Sequence, residues 1–200
     1  KSINRKQYFI NTAFDYLFGN YLYFIRIPAE IAVCYKLSLR NINFLCGFMY
    51  FANGFGTKQR FSAESHNRCN VIFFGNLKSE NGAVKHSGDN LTGAGDGDDE
   101  QIVVELQSIP AEYNRLVFVV NIYDAKGRNQ HFGMIQNAFI RIVNAANNQE
   151  LLKYNISDDY TNQTTLITGE LYRQDNEWKF AAIGTGTLAG SIREVVESYK

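Results

Sequence analysis

Cysteine is scarce and poorly arranged for chemistry. Cys34, Cys46 and Cys69 are the three in 200 residues, an odd number with no Cys-x-x-Cys pair, and a chain of this length needs no disulfide staples. Such usage fits a reduced cytosol. Histidine is equally sparse, with His66, His86 and His131 far apart in the sequence. His66 and Cys69 would give zinc two ligands where a structural site takes four, and no nucleophile-elbow or other recognisable setting surrounds a Cys or His for hydrolysis. The expectation is a protein that is not an enzyme.

Long apolar runs are missing as well. Residues 16–25 (YLFGNYLYFI) are apolar for only ten positions, and the uncharged stretch 41–57 is interrupted by Asn and Gly. Neither reaches the ~20 residues of a membrane span, and no small-residue cleavage site follows a clean apolar core. A cytoplasmic location is expected. Acids are nearly absent from the first third: residues 1–68 hold nine Lys and Arg against Asp15, Glu30 and Glu64, about +6, and the rest of the chain balances it at about −6. The acidic two-thirds lacks the clustered cations that phosphate binding needs, so nucleic acid is not an expected partner.

What is present is enough apolar material, 45% of residues, to bury a core. From about residue 70 the chain reads as short β-type runs bounded by Gly, Asn and Asp. They are NVIFFG (70–75), QIVVEL (101–106), RLVFVVNIYD (115–124), NAFIRIVN (137–144), ELLKYNI (150–156), TTLITGELYR (164–173) and EWKFAAIG (177–184). With no helix between most of them, they predict a mainly β protein, an antiparallel β-sandwich with a few short helices. EWKFAAI alternates cleanly through Trp178, Phe180 and Ala182, AFIRIVN departs from strict alternation, and LVFVV is apolar enough to be buried on both faces. RQDNEW and VNAANNQEL read as hairpin turns. LAGSIREVVESYK, with Leu188, Ile192, Val195, Val196 and Tyr199 at helical spacing, reads as a C-terminal amphipathic helix packed on the sandwich.

GTGTLAG (184–190) lacks the dinucleotide fingerprint and reads as a turn into that helix. The 27 Tyr and Phe fall mostly at strand positions, where core packing accounts for them better than base stacking. Residues 1–68 show neither helical nor strand periodicity, and 29–39 (AEIAVCYKLSL) fits a strand or a short helix equally well. The domain reading is an atypical segment over 1–68, open to inclusion in the sandwich, and a sandwich over 69–200.

One stretch stands apart: GDNLTGAGDGDDE (88–100), four Asp and one Glu among four Gly. Calcium takes six to eight oxygen ligands from carboxylates and carbonyls. Asp89, Asn90, Asp96, Asp98, Asp99 and Glu100 offer them within twelve residues, on glycines that let the chain fold back. Without a cation those charges repel one another. The spacing is not that of an EF-hand, whose acids alternate before a Gly between two helices. Nor is it a phosphate loop, because Ala94 stands where the Lys would be and the acids would repel phosphate. A calcium loop and a solvated acidic loop both remain compatible with spacing alone.

Taken together, NVIFFGNLKSENGAVKHSGDNLTGAGDGDDEQI, LVFVVNIYDAKGRNQHFGMIQNAFIRIVN and GELYRQDNEWKFAAIGTG resemble the TerD family of tellurium-resistance and stress-response proteins over residues 69–200. The resemblance implies a β-sandwich whose acidic loops bind calcium, in bacterial cytoplasmic proteins of tellurite resistance and related stress responses, with no established catalytic activity. By that resemblance the calcium site comprises Asp89, Asn90, Asp96, Asp98, Asp99 and Glu100, with Asp124 at a strand end as a neighbour or ligand. The departure lies upstream. Where the family carries an aspartate-rich strand pair, this chain reads NFLCGFMYFANGFGTKQRFSAESHNRC, without one aspartate, so family ligands are missing there. The abrupt change near residue 69 suggests a frameshifted or rearranged amino-terminal third; translating the coding DNA in all frames tests this, and no frame restoring an aspartate-rich stretch would dismiss it.

The functional expectation is a non-catalytic, calcium-binding scaffold module of a bacterial stress response including tellurite resistance, working with other proteins of that system. The alternative is a metal-dependent enzyme acting on a phosphorylated or oxyanion substrate. Membrane association is expected only through the basic, aromatic first third.

Overall fold

In a computed structural model, described for residues 29–38, 45–52, 71–88, 98, 100–156 and 159–198, the strand-forming runs build two five-stranded antiparallel sheets. The strands are β1 (Glu30–Ser38), β2 (Leu45–Ala52), β3 (Val71–Ile72), β4 (Val84–His86), β5 (Glu100–Glu105), β6 (Arg115–Ile122), β7 (Gln136–Asn144), β8 (Gln149–Ile156), β9 (Thr165–Gln174) and β10 (Glu177–Thr187). Two short helices, α1 (Ala125–Arg128) and α2 (Ile192–Ser198), complete the set, with 3-10 turns at Leu106–Ser108 and Phe132–Met134. One sheet runs β4-β5-β1-β7-β8 and the other β10-β9-β6-β2-β3.

Inward residues of both sheets form one core. Val33, Ile102, Ile140 and Leu152 come from the first sheet, and Phe118, Val120, Leu171 and Phe180 from the second. β6 is buried on both faces, as its composition requires. Leu116, Phe118, Val120 and Ile122 point into the sandwich, while Val117 and Val119 lie on the outer face beneath Val195 and Val196 of α2. The helix thus covers the outer face of a central strand, and its seven residues are held by packing rather than by intrinsic helicity.

The hairpins follow their turn residues. Asp175 and Asn176 between β9 and β10 have φ of 53° and 62°, the left-handed pair a two-residue hairpin demands and Asp and Asn tolerate. The β7–β8 turn ends at Asn148 with φ 58°. The broken alternation in AFIRIVN corresponds to a register shift between Ile142 and Val143 against β8. The extra residue is Leu151 of β8; along β7 Ile142 points inward and Val143, next in alternation, lies on the outer face with Ala32.

Several expectations need correction. NVIFFG is a strand only at Val71–Ile72, because Phe73 and Asn76 exchange backbone hydrogen bonds of 3.1 and 2.8 Å in a tight turn. The glycines of GTGTLAG do not form a turn: β10 extends through Thr187, leaving Leu188–Gly190 as the link to α2. Leu188 is 67% exposed on that link, so the apolar face of the helix is Ile192, Val195 and Val196. Tyr199 lies outside the described residues. Residues 30–38, open to either reading in the sequence, are a strand, and β1 and β2 both sit inside the sheets, flanked on each side. No helix among the described residues is long and apolar enough to cross a membrane.

Gly169, buried in β9, leaves room for the Phe180 ring of β10: a Cβ there would stand 2.5 Å from Phe180 Cζ. Gly169→Ala is expected to cost about 1–3 kcal/mol through overpacking, read as a lowered melting temperature. Gly169→Ala combined with Phe180→Leu should recover part of that loss.

Candidate functional site at the acidic end

Strand register gathers the connections β1–β2, β4–β5, β6–β7 and β8–β9 at one end of the sandwich. In the first sheet Glu100, opening β5, opposes Tyr35 late in β1, and Tyr35 opposes Ile140 in β7. In the second, Ile122 at the end of β6 opposes Leu45 at the start of β2, and Asn121 opposes Thr165 at the start of β9. The acidic loop before β5, Asp124 after β6 and Asp159 before β9 therefore share this end.

Of the seven residues predicted to form the site, Asp89, Asn90, Asp96 and Asp99 lie outside the described residues. Asp98 is gripped from β7: Arg141 donates through Nε to Oδ1 at 2.8 Å and through Nη2 to Oδ2 at 2.7 Å. Both carboxylate oxygens are engaged by one guanidinium, the bidentate geometry that gives such pairs their strength. Arg141 also donates to Glu150 of β8 at 3.3 Å.

Glu100 faces into the sandwich. It is 6% exposed and shares the inward side of β5 with Ile102 and Val104. Its Oε2 lies 3.6 Å from Nε2 of His86 on β4. The Gly88 N–H donates to His86 Nδ1 at 3.0 Å, so Nδ1 acts as acceptor and the ring proton sits on Nε2, toward Glu100. This pair ties together the described flanks of the acidic loop, β4 and β5. A burying environment makes the pairing necessary, since an uncompensated carboxylate would be costly there.

Asp124 is the most exposed of the three described site candidates. Its backbone is left-handed at φ 50° and ψ 39°, its side chain is 56% exposed, and Arg128 Nε approaches to 3.9 Å. Among the described residues no three His, Cys, Asp or Glu side chains converge closely enough to hold a metal ion. The oxygen donors fit calcium in kind. Asp124 is exposed, the Asp98 carboxylate is held by Arg141, and Glu100 is buried beside His86.

Sequence reasoning missed Asp159, although ISDDY between two strands signals an acidic turn. Its Oδ1 accepts hydrogen bonds from the Thr161 hydroxyl at 2.5 Å and the Thr161 N–H at 2.9 Å. Those two bonds, the hydroxyl first, and the nearby His131 hold the Asp159 carboxyl below its ordinary range. A depressed folded value means its contribution to stability is present at neutral pH and is lost as pH falls through that value. Thr161→Val is expected to return the Asp159 titration, followed by carboxyl-carbon NMR, toward the ordinary range. An unmoved titration would remove Thr161 as the cause.

The same end is braced by a buried polar knot. Asn121 Nδ2 donates to Thr165 Oγ1 at 2.5 Å, and the Thr165 and Thr164 hydroxyls donate to the Ala189 carbonyl at 2.7 and 2.9 Å. The link into α2 is thereby fixed beside the loops. Satisfied buried networks of this kind rigidify what surrounds them.

Residues 58–199 match the TerD domain family. The chain is 56% identical over 130 residues to "Stress response protein SCP2" of Bacillus subtilis (strain 168), 65% of this chain and 65% of that one. It is 48% identical over 125 residues to "Chemical-damaging agent resistance protein B" of Clostridium acetobutylicum, 62% of this chain and 90% of the relative. With "Tellurium resistance protein TerD" of Serratia marcescens it shares 46% identity over 128 residues, 64% and 66% of the two chains. The match thus spans just under two thirds of the SCP2 length. A solved structure of a homologue of telluride resistance protein (TerD) from Streptomyces coelicolor A3(2) aligns with a TM-score of 0.65 and 20% identity, covering 86% of this chain and 98% of that one. That likeness speaks for the fold, and it reaches further along the chain than the sequence matches do. Because the family match takes in well over half of the residues, the chain belongs to the TerD domain family.

Proposed function

We propose that the chain is a calcium-binding, non-catalytic module of a bacterial stress response that includes tellurite resistance. It works in the cytoplasm as a scaffold for other proteins of that system. The observation carrying this reading is the gathering of Asp98, Asp124 and Asp159 at the one end of the sandwich that also bears the acidic loop. Asp89, Asn90, Asp96 and Asp99 would supply the remaining oxygens, with Asp98 and Asp124 beside them. Glu100 serves as the loop's anchor through His86. Calcium neutralises carboxylates that otherwise repel one another, and so fixes the shape of the end offered to a partner.

A binding role is favoured over catalysis by how the two described histidines are used. His86 is buried against Glu100 and the Gly88 N–H, and His131 Nδ1 accepts from the Gly133 N–H at 3.1 Å. The relatives' names, stress response, resistance to a chemical-damaging agent and tellurium resistance, support the biological setting. The β2 strand, formed where the family carries upstream aspartates, begins instead with Leu45 and Cys46 beside the end of β6. The site proposed here therefore has fewer acids than the family pattern. Melting of metal-stripped protein with and without calcium, against a magnesium control, tests the reading: a calcium-specific rise supports it and coincident curves refute it.

A further inference from the structure

We propose that Arg141 is a built-in counter-ion that holds Asp98 in the calcium-free protein and retires to Glu150 when calcium takes that carboxylate. This inference rests on the calcium reading of the acidic loop. Asp98 stands two residues before the first residue of β5, on the loop, whereas Arg141 lies within β7 at the heart of the first sheet. Register shows how they meet: Arg141 opposes Cys34 of β1, and Cys34 opposes Gln101 of β5. The guanidinium thus spans β1 to clamp the exit of the loop, with Glu150 as a second partner on the sheet.

The clamp and calcium require the same atoms. Nε and Nη2 occupy Oδ1 and Oδ2 at 2.8 and 2.7 Å, and a calcium ion binding Asp98 needs those oxygens. The two occupants exclude each other, at least along the directions the guanidinium uses. Release does not strand the arginine, because Nη1 already lies 3.3 Å from Glu150 Oε2. Glu150 therefore lowers the cost of letting Asp98 go. In the absence of metal the clamp keeps the Asp98 carboxylate neutralised and pinned to the sheet, so a threshold is set on calcium.

Single substitutions should move calcium affinity in opposite directions. Arg141→Gln is expected to tighten calcium binding roughly fivefold, the size of a surface ion pair set against a binding constant. Glu150→Gln, which leaves the guanidinium with Asp98 as its carboxylate partner in this group, should weaken it roughly twofold. Lys153→Gln is the control for charge alone, since Lys153 opposes Arg141 in the register of β7 and β8 and lies over the Phe139 ring; it should change affinity much less. In an Asp98→Asn background the gain from Arg141→Gln should vanish.

Calorimetric titration of each folded variant with calcium reads these affinities. The Arg141 Nε–H resonance of the unmodified chain should also shift when calcium is added. Unmodified protein that binds calcium while Arg141→Gln binds no more tightly would overturn the proposal and leave the calcium reading intact. So would a gain that survives in Asp98→Asn, or an equal gain from Lys153→Gln. Absence of calcium binding in every variant would overturn both.

Discussion

Replacing Asp96 and Asp98 together by Asn is expected to abolish the calcium-dependent rise in melting temperature. At a hundredfold excess over its dissociation constant, a ligand that binds only the folded state stabilises by about 2.7 kcal/mol, or about 5–10 °C for a domain of this size. The comparison must be made within each protein, with and without calcium. Asn at position 98 also loses charge from the bidentate pair with Arg141, so the metal-free variant should itself melt lower. A calcium shift as large in the double variant as in the unmodified chain would remove these two residues from the site.

The second large effect concerns the first third. Deleting residues 1–60 removes β1 from between β5 and β7, and β2 from between β6 and β3. The first sheet would be split at its middle, and the second would lose β2 and with it the ladder that holds β3. The loss exceeds the ~5–15 kcal/mol that holds a typical domain together, so the remaining fragment is expected to lack a cooperative thermal transition and dispersed amide resonances. Val33→Asp makes the same point in one residue: Val33 is fully buried in the main core, and an unpaired carboxylate there should cost several kcal/mol or force its own protonation. A fragment that melts like the full chain would mean that β1 and β2 are not integral to the sandwich.

Much of the sandwich was legible because its strands advertise themselves. RLVFVVNI could be read as buried on both faces since five consecutive apolar residues, Leu116 to Val120, leave no wet side, and α2 supplies the cover that the reading required. EWKFAAI could be placed by alternation alone, with Trp178, Phe180 and Ala182 all against the core. β4 escaped notice because Val84–His86 is three residues long, too short for any period to register. β1 and β2 were opaque for a different reason. EIAVCYKLS and LCGFMYFA carry apolar residues at consecutive positions, so neither a strand nor a helical period stands out. Only the partners across the ladder decide, and apart from the short β3 these lie more than sixty residues away in sequence.

The site was legible in composition but not in geometry. The crowding of acids on glycines is visible in the sequence, and register accounts for Asp124 joining the same end. What spacing cannot reveal is which way a side chain faces. Glu100 follows directly on the other acids, yet it is the first residue of β5 and takes the inward side set by Ile102 and Val104, where His86 receives it. Asp98 is claimed by an arginine 43 residues away, a pairing that no local pattern announces. Asp159 was passed over because ISDDY offers only two acids, without the glycines that drew notice to the earlier loop.

The most direct measurement of the central claim is calorimetric titration of the metal-stripped chain with calcium, with magnesium as the control. Saturable binding of calcium, much weaker or absent for magnesium and lost in the Asp96 and Asp98 double variant, is the predicted result. A featureless calcium titration of folded protein would contradict the account, leaving the acidic end a solvated surface of a TerD sandwich.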